Sequence, residues 1–368
     1  MTHMQRRTNT PQGKNQTYPG QNMAHHLIPF EAAIAAGTRQ MMPYYSRPIG
    51  TEWEEVAFGF NKGVVTDLLK TQMGYEGIVV SDWGIISDRA WGLEDATLVE
   101  RTRRAIEAGC DILGGETNPE LMVQAVEEGL LTIERIDESV RKLMKEKFEL
   151  GLFDNPFVDV EAAERVVGNQ YFSRLGNETQ RRAMTLLTNE NDFLPLPNEA
   201  LQSRFYVEGI APEIMEARNL TVVETPDEAD YAFLRLLSPF KPTTAGGLAS
   251  SINNGSLEYN ATEKARQADI YTKLPTVVDI TMNRPAAVPE VADAAAALFA
   301  TYGSSPDAFL DIVFGIDGWA PEGKLPYDLP RSMAAVEASA EDLPFDTEDP
   351  LFKFGHGLRY NDRCKEGC

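Results

Sequence analysis

The sequence is poor in cysteine, with 3 in 368 residues, and this scarcity excludes a disulfide framework. Cys110 lies in an apolar run, whereas Cys364 and Cys368 lie in a polar tail, where a bridge would constrain very little. Long apolar runs are missing too, since no stretch approaches the ~18 uninterrupted apolar residues of a membrane-spanning helix. The first residues are polar and basic and lack the apolar core of a signal peptide. We therefore expect neither a membrane-spanning helix nor a signal peptide in this sequence.

Positive charge is also in short supply. The chain has 34 Lys and Arg against 56 Asp and Glu, which gives a formal net charge of −22. So acidic a protein should repel polyanions, and we expect neither nucleic acid nor an anionic membrane as a partner. A neutral substrate such as a sugar is compatible with this balance.

Motifs for several common chemistries are absent. The sequence has no phosphate-binding P-loop, no dinucleotide fingerprint, no Cys/His zinc pattern and no Gly-x-Ser-x-Gly nucleophile elbow. This shortage favours chemistry done by carboxylates. Hydrolysis of a glycosidic bond, for example, needs two carboxyl groups, one as nucleophile or base and one as an acid with a raised pKa.

Short apolar runs alternate with helical patterns in the first part of the chain, which predicts parallel βα units. The predicted strands are 39–46, 78–80 and 110–113. The predicted helices are 28–36, 63–73, 98–108, 119–128 and 133–150. A cluster of helix breakers at 152–156 indicates a domain boundary.

The second part of the chain again predicts an α/β domain with its own core. Residues 161–187 are mostly helical in pattern. The predicted strands are 204–208, 221–224, 231–237 and 276–281. Helices are predicted at 288–300, which contains an alanine-rich stretch, and at 306–314.

Asp82 is the first candidate for chemistry. It follows the β-branched run 78–80 and stands in a Ser-Asp-Trp sequence, so its carboxylate lies at the C-terminal tip of a strand. In parallel βα folds, ligands bind at that edge of the sheet. The adjacent Trp83 offers an indole face on which a sugar ring can stack. The alternative is equally open: Asp82 caps the next segment and Trp83 belongs to the core.

Other residues near this tip are weaker candidates. Tyr44 and Tyr45 end the preceding strand and could line the same pocket, although a packed aromatic pair explains them equally well. The loop after Asp82 carries two acidic residues, for which solvation is the more common role, and a histidine pair has no partner at metal-ligand spacing. These residues are Glu94, Asp95, His25 and His26.

Several segments resemble glycoside hydrolase family 3. Residues 74–83 resemble the nucleophile signature of that family. The similarity extends in the same order through 42–46, 61–69, 105–113, 136–141, 148–153, 183–197, 323–332 and 350–360. The resemblance implies a β-glucosidase-like retaining hydrolase that acts on β-glucosides or related β-glycosides through a covalent glycosyl-enzyme intermediate, with no metal or organic cofactor.

The resemblance also implies a fold and a set of roles. The fold is α/β: the last strands of a TIM-type (β/α) barrel followed by an α/β sandwich domain. The expected divisions are a disordered or loop-like start at 1–22, the barrel part at 23–154, a helical linker at 155–182, the sandwich domain at 183–360 and a tail at 361–368. Asp82 is the nucleophile, Trp83, Tyr45 and Tyr44 contact the sugar, and Glu258 is the acid/base, with Glu263 as a second candidate.

The sequence departs from the family pattern at its start. The first barrel strands and a Lys-His-Phe-type sugar-binding motif lie upstream of the point where the resemblance begins, near Gly13. Three parallel strands cannot close a barrel, so we expect self-association or pairing with a missing barrel half. The alternative function is a non-catalytic carbohydrate-binding or interaction module of the same fold. Full-length relatives of this kind are periplasmic or secreted, and the sequence leaves the compartment open.

Overall fold

The computed structural model describes residues 13–241 and 253–360. It divides into two compact units, the first ending at Asp159 and the second beginning at Val160. Part of the predicted start 1–22, the predicted tail 361–368 and the cysteines Cys364 and Cys368 lie outside the described residues. Within the described ranges, no helix is both long enough and apolar enough to cross a membrane.

The first unit combines very short strands with longer helices. Its strands are β1 (Asn15–Gln16), β2 (Gln40–Met41), β3 (Arg47–Pro48) and β4 (Ile78–Val79). Its helices are α1 (Met23–Ala35), a π-helix (Gly63–Gln72), α2 (Leu98–Ala108), α3 (Glu120–Glu127) and α4 (Ile133–Glu149). The predicted helices therefore all exist, and α2 has the predicted bounds. Gly109 ends α2 in the left-handed conformation at φ 117°, a role that glycine fills without strain.

Parallel pairing organises this unit. Strand β2 pairs with β4 in parallel, with Gln40 opposite Ile78. Beyond β4, Val80 forms a parallel bridge with Ile112. Three consecutive segments thus run side by side in one direction, and their carboxyl ends lie at one edge. This arrangement confirms the parallel βα pattern, whereas closure into part of a barrel remains a prediction.

Asp111, at the start of the third segment, is a buried carboxylate shared by several partners. Its Oδ2 accepts a hydrogen bond from the Val79 N–H at 3.0 Å, and its Oδ1 accepts one from the Ser139 hydroxyl at 2.8 Å. Three cations lie within 4.0 Å of it: Lys142 at 3.4 Å, Lys70 at 3.7 Å and Arg135 at 4.0 Å. Burial raises the pKa of Asp111, but these partners outweigh burial and hold it below its ordinary value.

The second unit is built around one sheet. Its strands are β5 (Thr185–Asn189), β6 (Arg204–Glu208), β7 (Thr221–Val223), β8 (Tyr231–Leu237), β9 (Thr276–Thr281) and β10 (Ala297–Thr301). Its helices are α5 (Val160–Val166), α6 (Gln170–Ala183), α7 (Pro212–Ala217), α8 (Ala261–Lys273), α9 (Pro289–Ala294), α10 (Pro306–Val313) and α11 (Met333–Ala338). The strand order is β5-β10-β9-β8-β6-β7, parallel except for the edge strand β5.

Both faces of this sheet are buried. Alternate residues of one strand enter opposite cores: Phe233 packs with Phe309 of α10, whereas Leu234 packs with Ile270 of α8. A strand buried on both faces is a continuous apolar run rather than an alternating one, and this is why β8 and β9 were predictable with their observed bounds. The α/β class is therefore confirmed, with a six-stranded mixed sheet.

One helix prediction in this unit is wrong, whereas the prediction that 161–187 is mostly helical is confirmed. The predicted helix 288–300 is a short helix, α9, followed by strand β10, because Ala297–Thr301 is buried between β5 and β9, where small residues pack closely. Tertiary burial overrides the helical preference of alanine there. The predicted helical stretch 161–187 is two helices followed by the start of β5. Helix α8 has no counterpart among the predicted elements.

Candidate active site

The tip of β4 presents Asp82 at the edge where the parallel segments end. Ser81 fixes this tip to the neighbouring segment, because its N–H donates to the Ile112 carbonyl at 2.8 Å and its hydroxyl accepts from the Gly114 N–H at 2.9 Å. Ser81 is fully buried and Asp82 is half-buried. The chain therefore passes from a buried strand to an accessible carboxylate within two residues.

The Asp82 carboxylate accepts a backbone hydrogen bond and has the Tyr45 hydroxyl nearby. Its Oδ1 accepts a hydrogen bond from the Trp83 N–H at 2.7 Å. The buried Tyr45 hydroxyl lies close enough for the negative charge of Asp82 to raise the pKa of that phenol. The Trp83 N–H orients the carboxylate while leaving it half-exposed, which suits a group that must reach a ligand.

Tyr45 is buried directly beside the carboxylate. Its hydroxyl donates to the Trp83 carbonyl at 2.7 Å, and its ring packs 6.0 Å from that of Trp91. Burial raises the pKa of Tyr45, and the hydrogen bond and negative charge of Asp82 raise it further. The phenol therefore stays protonated and acts as a donor at this site.

Tyr44 lies on the same tip but faces a different environment. Burial raises the pKa of its hydroxyl, and the charge of Asp82 adds to the effect, while a hydrogen bond with Ser46 opposes it. Its side chain also lines an apolar cavity of about 200 Å³ formed with α1 and the π-helix. Tyr44 is thus near Asp82 and contributes to the apolar packing behind it.

Trp83 is 57% exposed and lies over a pair of glycines. A Cβ added at Gly114 would stand 2.9 Å from Trp83 Cε3, and one at Gly115 would overlap the indole, reaching 2.7 Å from Cγ. Only a backbone without side chains lets the ring lie so close. The glycines thus form the floor beneath an indole whose other face is open, as a sugar platform requires.

Arg89 belongs to this site, although no sequence pattern selected it. Its guanidinium lies 5.0 Å from the Tyr45 ring centre, and its Nη1 donates to the Trp83 carbonyl at 3.2 Å. The 81–89 turn brings Arg89 back to the strand tip, since the N–H groups of Asp88 and Arg89 both donate to the Gly84 carbonyl. A return of this kind has no clear signature in a single sequence.

The weaker candidates lie in local turns and helices. The Glu94 carboxylate accepts from the Gly92 N–H at 2.8 Å, which makes it a turn residue, and Asp95 is exposed. His25 and His26 both lie in α1, and His26 lines the apolar cavity beside Tyr44. Within the described ranges, no group of three His, Cys, Asp or Glu side chains could hold a metal ion.

Glu258 and Glu263 lie in the second unit. Glu258 Oε1 accepts the Met333 N–H at 3.0 Å, at the start of α11, and its Oε2 lies 3.9 Å from Lys264 Nζ. Glu263 pairs with Arg266 at 2.6 Å, which holds the pKa of the Glu263 carboxyl below its ordinary value. A carboxyl that must donate a proton needs a raised pKa, so Glu258 remains the better of the two predicted acids.

Comparison with known proteins gives this site a context. Residues 9–145 match the model of the glycosyl hydrolase family 3 N terminal domain. The chain is 58% identical over 362 residues to the probable beta-glucosidase C of Aspergillus oryzae, covering 96% of this chain and 56% of that protein. It is 36% identical over 373 residues to a periplasmic beta-glucosidase/beta-xylosidase of Dickeya chrysanthemi, covering 94% of this chain and 56% of that protein. The chain thus spans little more than half the length of these relatives.

Solved structures share the fold. A β-glucosidase from Erythrobacter marinus matches with a TM-score of 0.75 at 22% identity, covering 91% of this chain and 54% of that one. The β-glucosidase of Listeria innocua matches with a TM-score of 0.74 at 19% identity, covering 94% of this chain and 55% of that one. At such identities the likeness concerns the fold.

Proposed function

Because this chain belongs to glycosyl hydrolase family 3, matching its N-terminal domain over residues 9–145, we propose that it serves in hydrolysis of β-glucosides or related β-glycosides. The single observation that carries the proposal is the placement of Asp82: a half-buried carboxylate at a strand tip, bonded to the Trp83 N–H and beside the buried Tyr45 hydroxyl. The similarity to relatives named as β-glucosidases supports the choice of substrate class.

Asp82 acts in this proposal as the nucleophile of a retaining mechanism. Its oxygen attacks the anomeric carbon, the bond from that carbon to the leaving oxygen breaks, and a covalent glycosyl-enzyme ester forms. Water then attacks the same carbon and releases the Asp82 carboxylate. The Tyr45 hydroxyl, which stays protonated, fixes the backbone next to the carboxylate through the Trp83 carbonyl, and the open face of Trp83 stacks on the sugar.

The leaving oxygen needs a proton, and Glu258 is the proposed donor. It would give its proton in the first step and take one from water in the second. Glu258 lines a cavity of about 440 Å³ at the carboxyl end of β8, with Phe240 and Tyr259.

The nucleophile is tested by covalent trapping. Incubation with a 2-fluoro-β-glucoside inactivator should label a peptide that contains Asp82, as seen by mass spectrometry. Release of nitrophenol from an aryl β-glucoside should fall by about 10⁴-fold or more in Asp82→Asn, because the carboxylate that forms the ester is lost. Asp154→Asn, at an exposed position of the first unit, is the matched control and should keep the parent rate.

Two outcomes would contradict the proposal. Label on a peptide without Asp82, or turnover that survives Asp82→Asn, would remove Asp82 as the nucleophile. Well-folded protein that shows neither turnover nor label would instead support the alternative function, a non-catalytic carbohydrate-binding or interaction module of the same fold.

A further inference from the structure

Two phenylalanines near the end of the second unit are exposed side by side. Phe345 is 49% exposed and Phe354 is 54% exposed. Their ring centres are 4.3 Å apart, with the planes tilted by 40°. The rings thus contact each other and still leave about half of each residue in water. The pair therefore presents aromatic surface to which a ligand can bind.

The pair lines a cavity of about 640 Å³ that also has polar walls. Asp328, Thr347 and Lys353 contribute to these walls. Asp328 Oδ1 accepts the Phe354 N–H at 2.7 Å, which fixes the carboxylate beside the ring. Among residues 13–241 and 253–360, the Thr347 hydroxyl and the Lys353 ammonium have no hydrogen-bonding or ionic partner. Two carboxylates, those of Asp328 and Asp349, therefore line the cavity together with a hydroxyl, an ammonium and two aromatic rings.

The backbone holds Phe345 in an unusual conformation. Its φ is +61°, in the left-handed region that bulky residues rarely adopt. Two hydrogen bonds fix the loop on either side: the Ala340 N–H donates to Asp346 at 2.7 Å, and Arg331 Nε donates to Asp349 at 2.9 Å. Conformations of this kind persist where the surroundings determine them, and they concentrate at ligand sites.

We propose that this Phe345–Phe354 cavity is a second sugar-binding site, which holds a glycan without cleaving it. The apolar C–H face of a pyranose ring stacks on an aromatic ring, and its hydroxyl groups need donors and acceptors at the ring edge. The cavity supplies both kinds of contact. Its volume falls within the range of small-ligand pockets and accommodates a pyranose ring. The site lies wholly in the second unit, so it does not depend on the proposed role of Asp82.

Cellotetraose is the probe for this site, with binding to the full chain measured by saturation-transfer NMR and calorimetric titration. Phe345→Gly is the first variant, because glycine adopts φ +61° without strain and the loop should keep its fold. We expect its affinity for cellotetraose to be about tenfold lower, from the loss of one stacking surface. Phe354→Ala should weaken binding similarly. Asp328→Asn, which keeps an acceptor for the Phe354 N–H, should weaken it less.

Phe157→Ala is the matched control, since Phe157 is 82% exposed in the first unit and far along the chain from the cavity. It should bind cellotetraose like the parent. Thermal unfolding checks that every variant is folded. Equal binding by the parent and Phe345→Gly would overturn the proposal, as would a parent chain that does not bind cellotetraose at all. Neither result would affect the Asp82 labelling test.

Discussion

Trp83 lies against Gly114 and Gly115, about 30 residues further along the chain. The role of this contact can be tested at Gly115, with Gly129 as the comparison position. Gly115 has φ +68°, and a side chain there would overlap the indole, whereas Gly129 has φ +72° and open space around it. The two positions share the same backbone strain and differ in what a methyl group meets. They therefore separate the contribution of contact with the indole from that of backbone conformation.

We predict that Gly115→Ala displaces the Trp83 ring and changes its fluorescence, because Trp83 is the one exposed tryptophan of the four. Gly129→Ala should lose only about 1 kcal/mol of unfolding free energy, the typical penalty for alanine in the left-handed region. Its tryptophan emission should stay as in the parent. Emission spectra with thermal unfolding check both variants. An unchanged emission maximum in Gly115→Ala would mean that the ring does not rest on this glycine.

Much of the candidate site was predictable at the residue scale. Asp82 and Trp83 come a few residues after β4, and Tyr45 comes four residues after β2, so the parallel pairing of these strands brings the three together. Arg89 was not predictable, because its return to the tip depends on the turn at Gly84. The local order of polar and apolar residues therefore indicates which strand ends lie together. It does not indicate which loop residue returns to contact them.

At the scale of elements, burial decided which predictions succeeded. Strands β6, β8 and β9 have the predicted bounds, since each is rich in aromatic, β-branched or leucine residues. Strand β10 was missed because its alanines favour a helix until neighbouring strands bury them. Helix α8 was missed because it is mostly polar, although Asn260 accepts the Glu263 N–H at 2.9 Å as an N-cap. That Asn-x-x-Glu spacing was the available signal.

A histidine, His356, links the last described residues of the second unit to β5 by a hydrogen bond. His356 Nε2–H donates to the Leu187 carbonyl at 2.8 Å, and its ring stacks 4.7 Å from Phe352. Burial lowers the pKa of His356, and the charge of Lys324 lowers it further, against the effect of the Leu187 carbonyl. The folded state thus binds a proton at His356 less readily than the unfolded chain, in which the pKa is about 6.5.

This difference predicts a loss of stability in mild acid. The contribution of His356 is fully present above about pH 6.5 and is lost as the pH falls from there through the lower pKa of the folded state. Chemical unfolding at a series of pH values should show this loss in the parent chain and a smaller loss in His356→Gln. The exposed His25→Gln is the control and should follow the parent. Identical slopes in the parent and His356→Gln would contradict this role.

At the scale of the whole molecule, the two units differ in how much sheet they contain. The second unit has a six-stranded sheet buried on both faces, whereas the first pairs strands of two residues. Opening a long buried sheet breaks many hydrogen bonds at once, and opening a two-residue pairing breaks few. The units should therefore differ in the free energy of local opening.

We predict that hydrogen exchange is slowest in β8 and β9 and much faster in β2 and β4. Exchange followed by mass spectrometry at neutral pH, with peptides from both units, measures this directly. The amides of α2 provide an internal reference within the first unit, since a regular helix there should exchange more slowly than β2. Equal protection of β2 and β8 would show that the short pairings are as stable as the sheet.

Asp111 should limit which substitutions the residues around it can accept during evolution. One carboxylate balances Lys70, Arg135 and Lys142, so its loss alone would leave three positive charges facing one another in a largely buried space. A change at any of these positions alters what the others tolerate. We expect these four residues to be conserved or replaced together. A homologue with a neutral residue in place of Asp111 should also have lost one or more of the three cations. Restoring a single cation in such a homologue should lower its stability.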